Sequence, residues 1–297
     1  MSEQATSVFT GYRELLFSIV YNMLGSVADT EDVLQETWLA WAPRSAAGEE
    51  IANPRAYLVR IAVNRALARQ ESISRRREDY VGPWLPEPLI TEPPDAVDPA
   101  VRTESLSMAL LVVLETLTPL ERAVFVLNEV FGYAHTEIAG ILDRSPSAIR
   151  QLAHRAREHV HARRPRYQAD PRVRQEVTER FIAAVAGGDI DALMRVLAPD
   201  VIMWADGGGK ARAAGLRPVH GRDKIARVIV GNATRRPVSD LNIRFRTVNG
   251  DPSALLLSGD TPFAVIVLDL VPDGDQVCGI YAVTNPDKLS HLERGIA

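Results

Sequence analysis

The sequence has one cysteine, Cys278, in 297 residues. No intramolecular disulfide can form from it, and no cysteine-based zinc site is available. Long apolar runs are missing as well: Ala264 to Leu268 is typical of the longest, far short of the roughly 20 residues that cross a bilayer. Met1-Ser2-Glu3-Gln4 lacks the basic-then-apolar layout of a signal peptide. These absences predict a reduced, cytoplasmic chain with no membrane partner. Net charge is nearly absent too, at −4, so a nucleic-acid surface has to come from clustering of basic residues rather than from their excess.

What is present divides the chain. Residues 8–79 read as helical, because Leu34, Trp38 and Trp41 recur at helical spacing, as do Leu58, Ile61 and Ala62. Pro83, Pro86, Pro88, Pro93, Pro94 and Pro99, with Glu87, Glu92, Asp95 and Asp98, predict an extended acidic linker over 80–100. Helical periodicity returns with Leu106, Leu110, Val113, Leu114 and Leu117; Pro119 opens another helix and Gly132 suits its end. Beyond a basic joint, Arg163-Arg164-Pro165-Arg166, helices are expected near 172–187 and 189–197. Strands follow at Val201 to Trp204, Leu241 to Val248, Ala254 to Leu257, Phe263 to Val271 and Gln276 to Thr284. Asn249-Gly250 and Asp273-Gly274 are hairpin signals between them. The expected domains are 1–79, 101–164 and 165–297, the last an α+β domain on a curved antiparallel sheet.

Three stretches carry chemistry. In the first, His135 to Leu142 predicts a short helix, Asp143-Arg144 a turn, and Ser145-Pro146 an N-cap followed by proline at the first helical position. The next helix buries Ile149, Leu152, Ala153 and Ala156 and presents Ser147, Arg150, Gln151, His154, Arg155 and Arg157, with Arg144 at the turn. That is a helix-turn-helix whose second helix suits phosphates and base edges; a helical hairpin with a solvated basic face is the bland alternative. In the second, Asn53-Pro54 starts a helix whose Arg55, Arg60, Arg65, Arg69, Arg75, Arg76 and Arg77 face one acid, Glu71. Arg60 and Asn64 share a face, and Tyr57 can stack on an unpaired base. In the third, Asp29, Glu31 and Asp32 favour a helix N-terminus. Asp32, Gln35, Glu36 and Leu39 then form an acidic and apolar stripe, which suits a basic protein partner better than DNA, although a merely solvated face is the default reading.

Asp29-Thr30-Glu31-Asp32-Val33-Leu34-Gln35-Glu36-Thr37-Trp38 resembles the polymerase-binding helix of extracytoplasmic-function sigma factors. Ala56 to Arg65 is similar to their helix that melts and reads the minus-ten element. Leu117 to Arg122, Glu137-Ile138-Ala139 and the Arg150-Gln151 helix resemble their minus-thirty-five reader. Tyr57 stands where the family usually has tryptophan, and Ala68 where aspartate is common. Trp84-Leu85-Pro86-Glu87-Pro88-Leu89, Asp206-Gly207-Gly208-Gly209-Lys210 and Asn285-Pro286-Asp287-Lys288-Leu289 resemble signatures of the subgroup with a fused SnoaL-like domain. The resemblance implies two all-α domains, the second with a helix-turn-helix, joined by a Pro-rich linker and followed by a cone-shaped domain of the ketosteroid-isomerase type. It also implies RNA polymerase core and promoter DNA as partners, no cofactor or metal, and a monomer. The last domain would regulate the others in cis through the three signatures.

Two other functions are weighed against this. A ligand-responsive repressor uses the helix-turn-helix alone and leaves Asp29 to Arg77 without a role. An isomerase-like enzyme needs Trp204, Asp206, His220 and Tyr281 to line a pocket, the same one that an unknown small ligand would occupy without catalysis, and leaves the N-terminal half unexplained.

Overall fold

The computed structural model describes residues 3–46, 51–91, 106–163, 170–211, 215–235, 240–272 and 274–295. The chain divides into two compact units, Met1–Glu78 with Asp98–Leu106 and Val113–Arg164, and Asp79–Val97 with Ser107–Val112 and Pro165–Ala297.

The first unit is helical. α1 (Glu3–Leu24), α2 (Val27–Ala46) and α3 (Pro54–Glu78) pack on one another through Leu16, Ile19, Val20 and Met23, Val33, Leu34 and Trp41, and Leu58, Val59, Ala62 and Val63. Asn53 caps α3 by accepting from the Ala56 amide at 3.0 Å, with proline first in the helix as its sequence requires. α4 (Met108–Leu114), most of which belongs to the second unit, is followed in the first by α5 (Pro119–Phe125), α6 (His135–Leu142) and α7 (Pro146–Arg163). Thr118 and Glu121 form a reciprocal capping box at the start of α5. The segments expected as separate domains over 1–79 and 101–164 pack as one unit, α3 lying against α5 and α6. Side chains with partners on both sides explain this: Arg122 of α5 is 3% exposed and its Nε donates to the Asn22 carbonyl of α1 at 3.1 Å.

The second unit is α+β. α8 (Pro171–Gly187), α9 (Ile190–Val196) and α10 (Arg222–Arg235) cover one face of a seven-stranded sheet. Its strands are β1 (Ile90–Thr91), β2 (Leu197–Asp206), β3 (Val219–His220), β4 (Asn242–Val248), β5 (Asp251–Ser258), β6 (Thr261–Leu270) and β7 (Val277–Val283), in the order β1-β4-β5-β6-β7-β2-β3. The sheet is mixed rather than antiparallel throughout, because β2 runs parallel to β7. Asn249 and Gly250, both at positive φ, make the expected tight turn between β4 and β5; Asp273 of the second hairpin signal lies outside the described residues.

β5 and β6 read as nearly continuous apolar runs because both sheet faces are buried. Ala254, Leu256, Ala264 and Leu268 face the helices. Leu255, Leu257, Val265 and Val267 face a second core made with Leu85, Met108, Ala109, Leu289 and Leu292. The expected free linker over 80–100 is therefore corrected in its described part. Leu85 is fully buried, Ile90 and Thr91 pair with Val248 and Thr247, and 79–91 is a strap across the sheet. Its prolines suit an extended edge position, and its leucine supplies the apolar area that holds it down. Residues 92–105 lie outside the described residues.

Candidate functional site

In the first unit, the helix-turn-helix forms where the sequence places it. Asp143 adopts a left-handed conformation at the end of α6 (φ 52), and Ser145 Oγ accepts from the Ala148 amide at 3.2 Å. Ile149, Ala153 and Ala156 are buried, while Arg144, Ser147, Arg150, Gln151, His154, Arg155 and Arg157 are exposed. Their charges are not equally free. Arg155 Nε lies 3.0 Å from Glu121, Arg157 3.4 Å from Glu129, and His154 3.9 Å from Glu158. Arg150 and Gln151, mid-helix and solvent-facing, have no intramolecular partner among the described residues.

α3 presents Arg60, Asn64 and Arg65 outward. Asn64 Nδ2 donates to the Arg60 carbonyl at 2.8 Å and to the Ile141 carbonyl at 3.1 Å. Tyr57 is half-buried between the Trp41 ring, 6.1 Å away, and the Arg44 guanidinium, 5.7 Å from its centroid. Arg69 turns toward α2, bonding Asp29 at 2.9 Å and also Asp32. Its charge is therefore already matched, unlike that of Arg60.

Asp32, Gln35 and Leu39 lie exposed along α2, with Glu36 half-buried and 3.2 Å from Arg65. Leu39 is 63% exposed, an apolar side chain one turn beyond Glu36. Asp29 departs from the expected docking stripe. It is buried beneath Arg69 and Arg76, where a carboxylate holds α2 to α3 and cannot reach a partner. Burial acts to raise its carboxyl, but hydrogen bonds from Arg69 and Arg76 outweigh that and hold it below the ordinary value. A carboxyl depressed in the fold stabilises fully above its unfolded value, near 4, and the gain is lost as pH falls through the folded one. Helical melting should therefore show an acid loss of stability below about pH 4 that Asp29→Asn largely removes.

In the second unit, the three signatures meet on one carboxylate. Asp206, at the end of β2, is fully buried. Tyr80 Oη and the Gly208 amide donate to Oδ1, the latter at 3.2 Å; the Leu85 amide and Lys288 Nζ donate to Oδ2, each at 2.8 Å. All four lone-pair positions are thereby used. Lys288, itself 3% exposed, also donates to the Leu85 carbonyl at 2.5 Å and lies 3.3 Å from the Trp84 ring centroid. Asn285 caps α11 (Pro286–Leu289) through the Asp287 amide at 3.1 Å and donates to Tyr80 Oη at 2.8 Å. Burial and the Asp206 carboxylate push the Tyr80 phenol well above its ordinary range.

Around this hub, Pro86 is buried and Glu87 partly so. Leu289 joins the strap-side core, Pro286 is exposed, and Lys210 pairs with Asp287 at 2.5 Å on the rim. The Gly207 carbonyl accepts from the Lys210 amide at 2.9 Å. Gly208 and Gly209 both have positive φ, and a Cβ on Gly208 would lie 2.3 Å from Asn285 Nδ2, while one on Gly209 would lie 3.1 Å from Val81. The glycines therefore admit the strap and tail side chains. Gly208→Ala is expected to lower the melting stability of this unit by about 1–3 kcal/mol, from a strained left-handed residue and a displaced Asn285.

The four residues that an isomerase-like enzyme would need in a pocket, Trp204, Asp206, His220 and Tyr281, are otherwise engaged or apart. Trp204 and Tyr281 stack at 5.0 Å beside the strap-side core, His220 is exposed on β3, and Asp206 is taken up by Tyr80, Gly208, Leu85 and Lys288. Sequence reasoning missed Tyr80, Asn249 and His291. Asn249 exchanges backbone and side-chain bonds with Leu89, at 2.8 and 3.2 Å, and the His291 ring bonds the Pro88 carbonyl at 2.8 Å. The only signal for Asn249 was its turn. Among the described residues no cluster of His, Cys, Asp and Glu is arranged to hold a metal, and no helix is long and apolar enough to cross a membrane.

Comparison with known proteins matches these parts in order. Residues 8–76 match the sigma-70 region 2 family, 107–160 sigma-70 region 4, and 178–261 the SnoaL-like domain. The chain is 37% identical to the ECF RNA polymerase sigma factor SigJ of Mycobacterium tuberculosis, over 96% of this chain and 93% of SigJ. It is 31% identical to SigG of the same organism, over 88% of this chain and 76% of SigG. The crystal structure of Mycobacterium tuberculosis extracytoplasmic function sigma factor SigJ superposes with a TM-score of 0.75 at 34% identity, covering 96% of this chain and 98% of that one.

Proposed function

This chain belongs to the extracytoplasmic-function RNA polymerase sigma factors, and on that premise we propose that its SnoaL-like unit controls promoter reading in cis by holding the strap. The family directs promoter-specific transcription initiation with RNA polymerase, so core polymerase and promoter DNA are the partners and the cytoplasm is the place of action. We assign Asp32, Gln35, Glu36 and Leu39 to docking on the core. Tyr57, Arg60, Asn64 and Arg65 hold the opened minus-ten strand. Ser147, Arg150 and Gln151 read the upstream element in the major groove, while Arg144, His154, Arg155 and Arg157 approach phosphates. The protein acts as a monomer, since its strap and tail cover the sheet face that a second copy would need.

The observation that carries the regulatory reading is Asp206. One buried carboxylate is bonded by the strap, the glycine loop and the tail together. The strap, 79–91, belongs to the C-terminal unit and lies in sequence between α3 and the helix-turn-helix. Releasing it lengthens the connection between the two DNA-reading modules, which lowers the effective concentration of one of them at its element by about two- to three-fold.

Transcription with purified core on promoters of graded spacer length tests this. Asp206→Asn should lower output at the best spacer by that factor and flatten the dependence on spacer length. An unchanged profile refutes control in cis while leaving the sigma assignment standing.

A further inference from the structure

The N-terminal unit holds its two DNA-reading modules against each other. Asn64 of α3 donates to the Ile141 carbonyl in the last turn of α6 at 3.1 Å. Arg55, near the start of α3, lies 5.3 Å from the centroid of the Tyr133 ring just before α6. At the other end of α3, Arg77 and Arg122 share Glu115: Arg122 Nη1 is 2.7 Å from one carboxylate oxygen and Arg77 bonds both. Arg122 is 3% exposed and also holds the Asn22 carbonyl of α1. Glu115, in the turn between α4 and α5, thus ties α1, α3 and α5 together. Burial pushes both guanidinium groups down to about 9, so at neutral pH they remain charged. Without Glu115 they would be two cations facing each other away from water.

The elements that α3 and α7 read lie about 25 base pairs apart, on the order of 85 Å of B-form axis. Modules in hydrogen-bond contact cannot serve both at once. The N-terminal unit as described is therefore a closed form that must open before both elements are engaged. We propose that Glu115, clamped by Arg77 and Arg122, is the latch of that closed form, which holds the helix-turn-helix module beside the strand-reading face of α3, with the Asn64 amide bonded to the Ile141 carbonyl. What the opened form does rests on the sigma reading above; the latch is a property of the free chain.

Energy transfer within the full-length chain tests it. Dyes are placed through Glu14→Cys and Glu158→Cys, both exposed positions, after Cys278→Ser removes the native thiol. The free chain should show high transfer, and E115Q should cut it by at least half while the far-ultraviolet circular dichroism stays native. Should E115Q lose its helical signal, R77E decides, since Arg77 sits at the solvent edge of the cluster (21% exposed) and a glutamate there repels Glu115. Wild-type transfer in a natively folded E115Q, or in R77E where E115Q fails to fold, overturns the latch. Core polymerase added to the wild type should lower transfer as E115Q does. If core leaves transfer unchanged and no promoter-specific RNA appears, the sigma reading fails, whichever way the variants of the free chain turn out.

Discussion

Asp206→Ala is expected to destabilise the C-terminal unit by about 3–5 kcal/mol, because it strands Lys288 in a place where water cannot replace the lost partner. Lys288 is 3% exposed and would lose its carboxylate while keeping the Leu85 carbonyl and the Trp84 and Tyr80 ring faces. The Leu85 amide and the Tyr80 hydroxyl would lose their acceptor at the same time. A loss of that size lowers the melting temperature by on the order of 10 °C in a chain of this length. It should also make residues 79–91 sensitive to limited proteolysis. Lys288→Met costs less, since Asp206 retains three donors in Tyr80, Leu85 and Gly208. Combining Asp206→Leu with Lys288→Met should recover part of the loss, because a buried pair is worth little over a well-packed apolar one while a half-broken pair is costly. If Asp206→Ala melted like the wild type, the carboxylate would not be what holds the strap.

Arg150→Ala should lower initiation from a matched promoter by about ten- to one-hundred-fold, the worth of one bidentate contact to a guanine edge. Sequence-independent DNA binding should hardly change. The contrast with its neighbours follows from the ion pairs. Arg155 is 3.0 Å from Glu121 and Arg157 is 3.4 Å from Glu129, so each must give up part of an internal interaction to reach a phosphate. Arg155→Ala should therefore weaken binding to every sequence alike and reduce the salt dependence. An Arg150→Ala protein with unchanged preference among promoter variants would place the base-reading residue elsewhere on α7.

Most of the helical half was legible because its signals are local. Ser145 before Pro146, and Thr118 three residues before Glu121, fix helix starts that the structure reproduces. The Asn249-Gly250 turn is local in the same sense. What was not legible depends on partners distant in sequence. Asp29 reads like its neighbours Glu31 and Asp32, and only the position of Arg76, 47 residues away, makes it an internal tie. The strap has the prolines and acids of a solvated linker. That it lies down on the sheet becomes clear only when the apolar run of β5 is seen to need cover on its second face, which Leu85 and Met108 supply. The parallel pairing of β2 with β7 likewise has no local signature, since periodicity gives faces and not neighbours. The three signature stretches were visible as sequence, but their convergence on one carboxylate was not.

Residues 79–91 are expected to stay locked on Asp206 in the transcribing complex as well as in the free chain. Hydrogen exchange at the Leu85 amide, which donates to Asp206 at 2.8 Å in a buried site, tests it most directly when followed in the complex of the full chain with core polymerase and promoter. Strong protection is expected there, comparable with the free protein and lost in Asp206→Asn. Exchange at the rate of an unstructured peptide in the complex would contradict it, because the strap would then have left the C-terminal unit before any promoter was read.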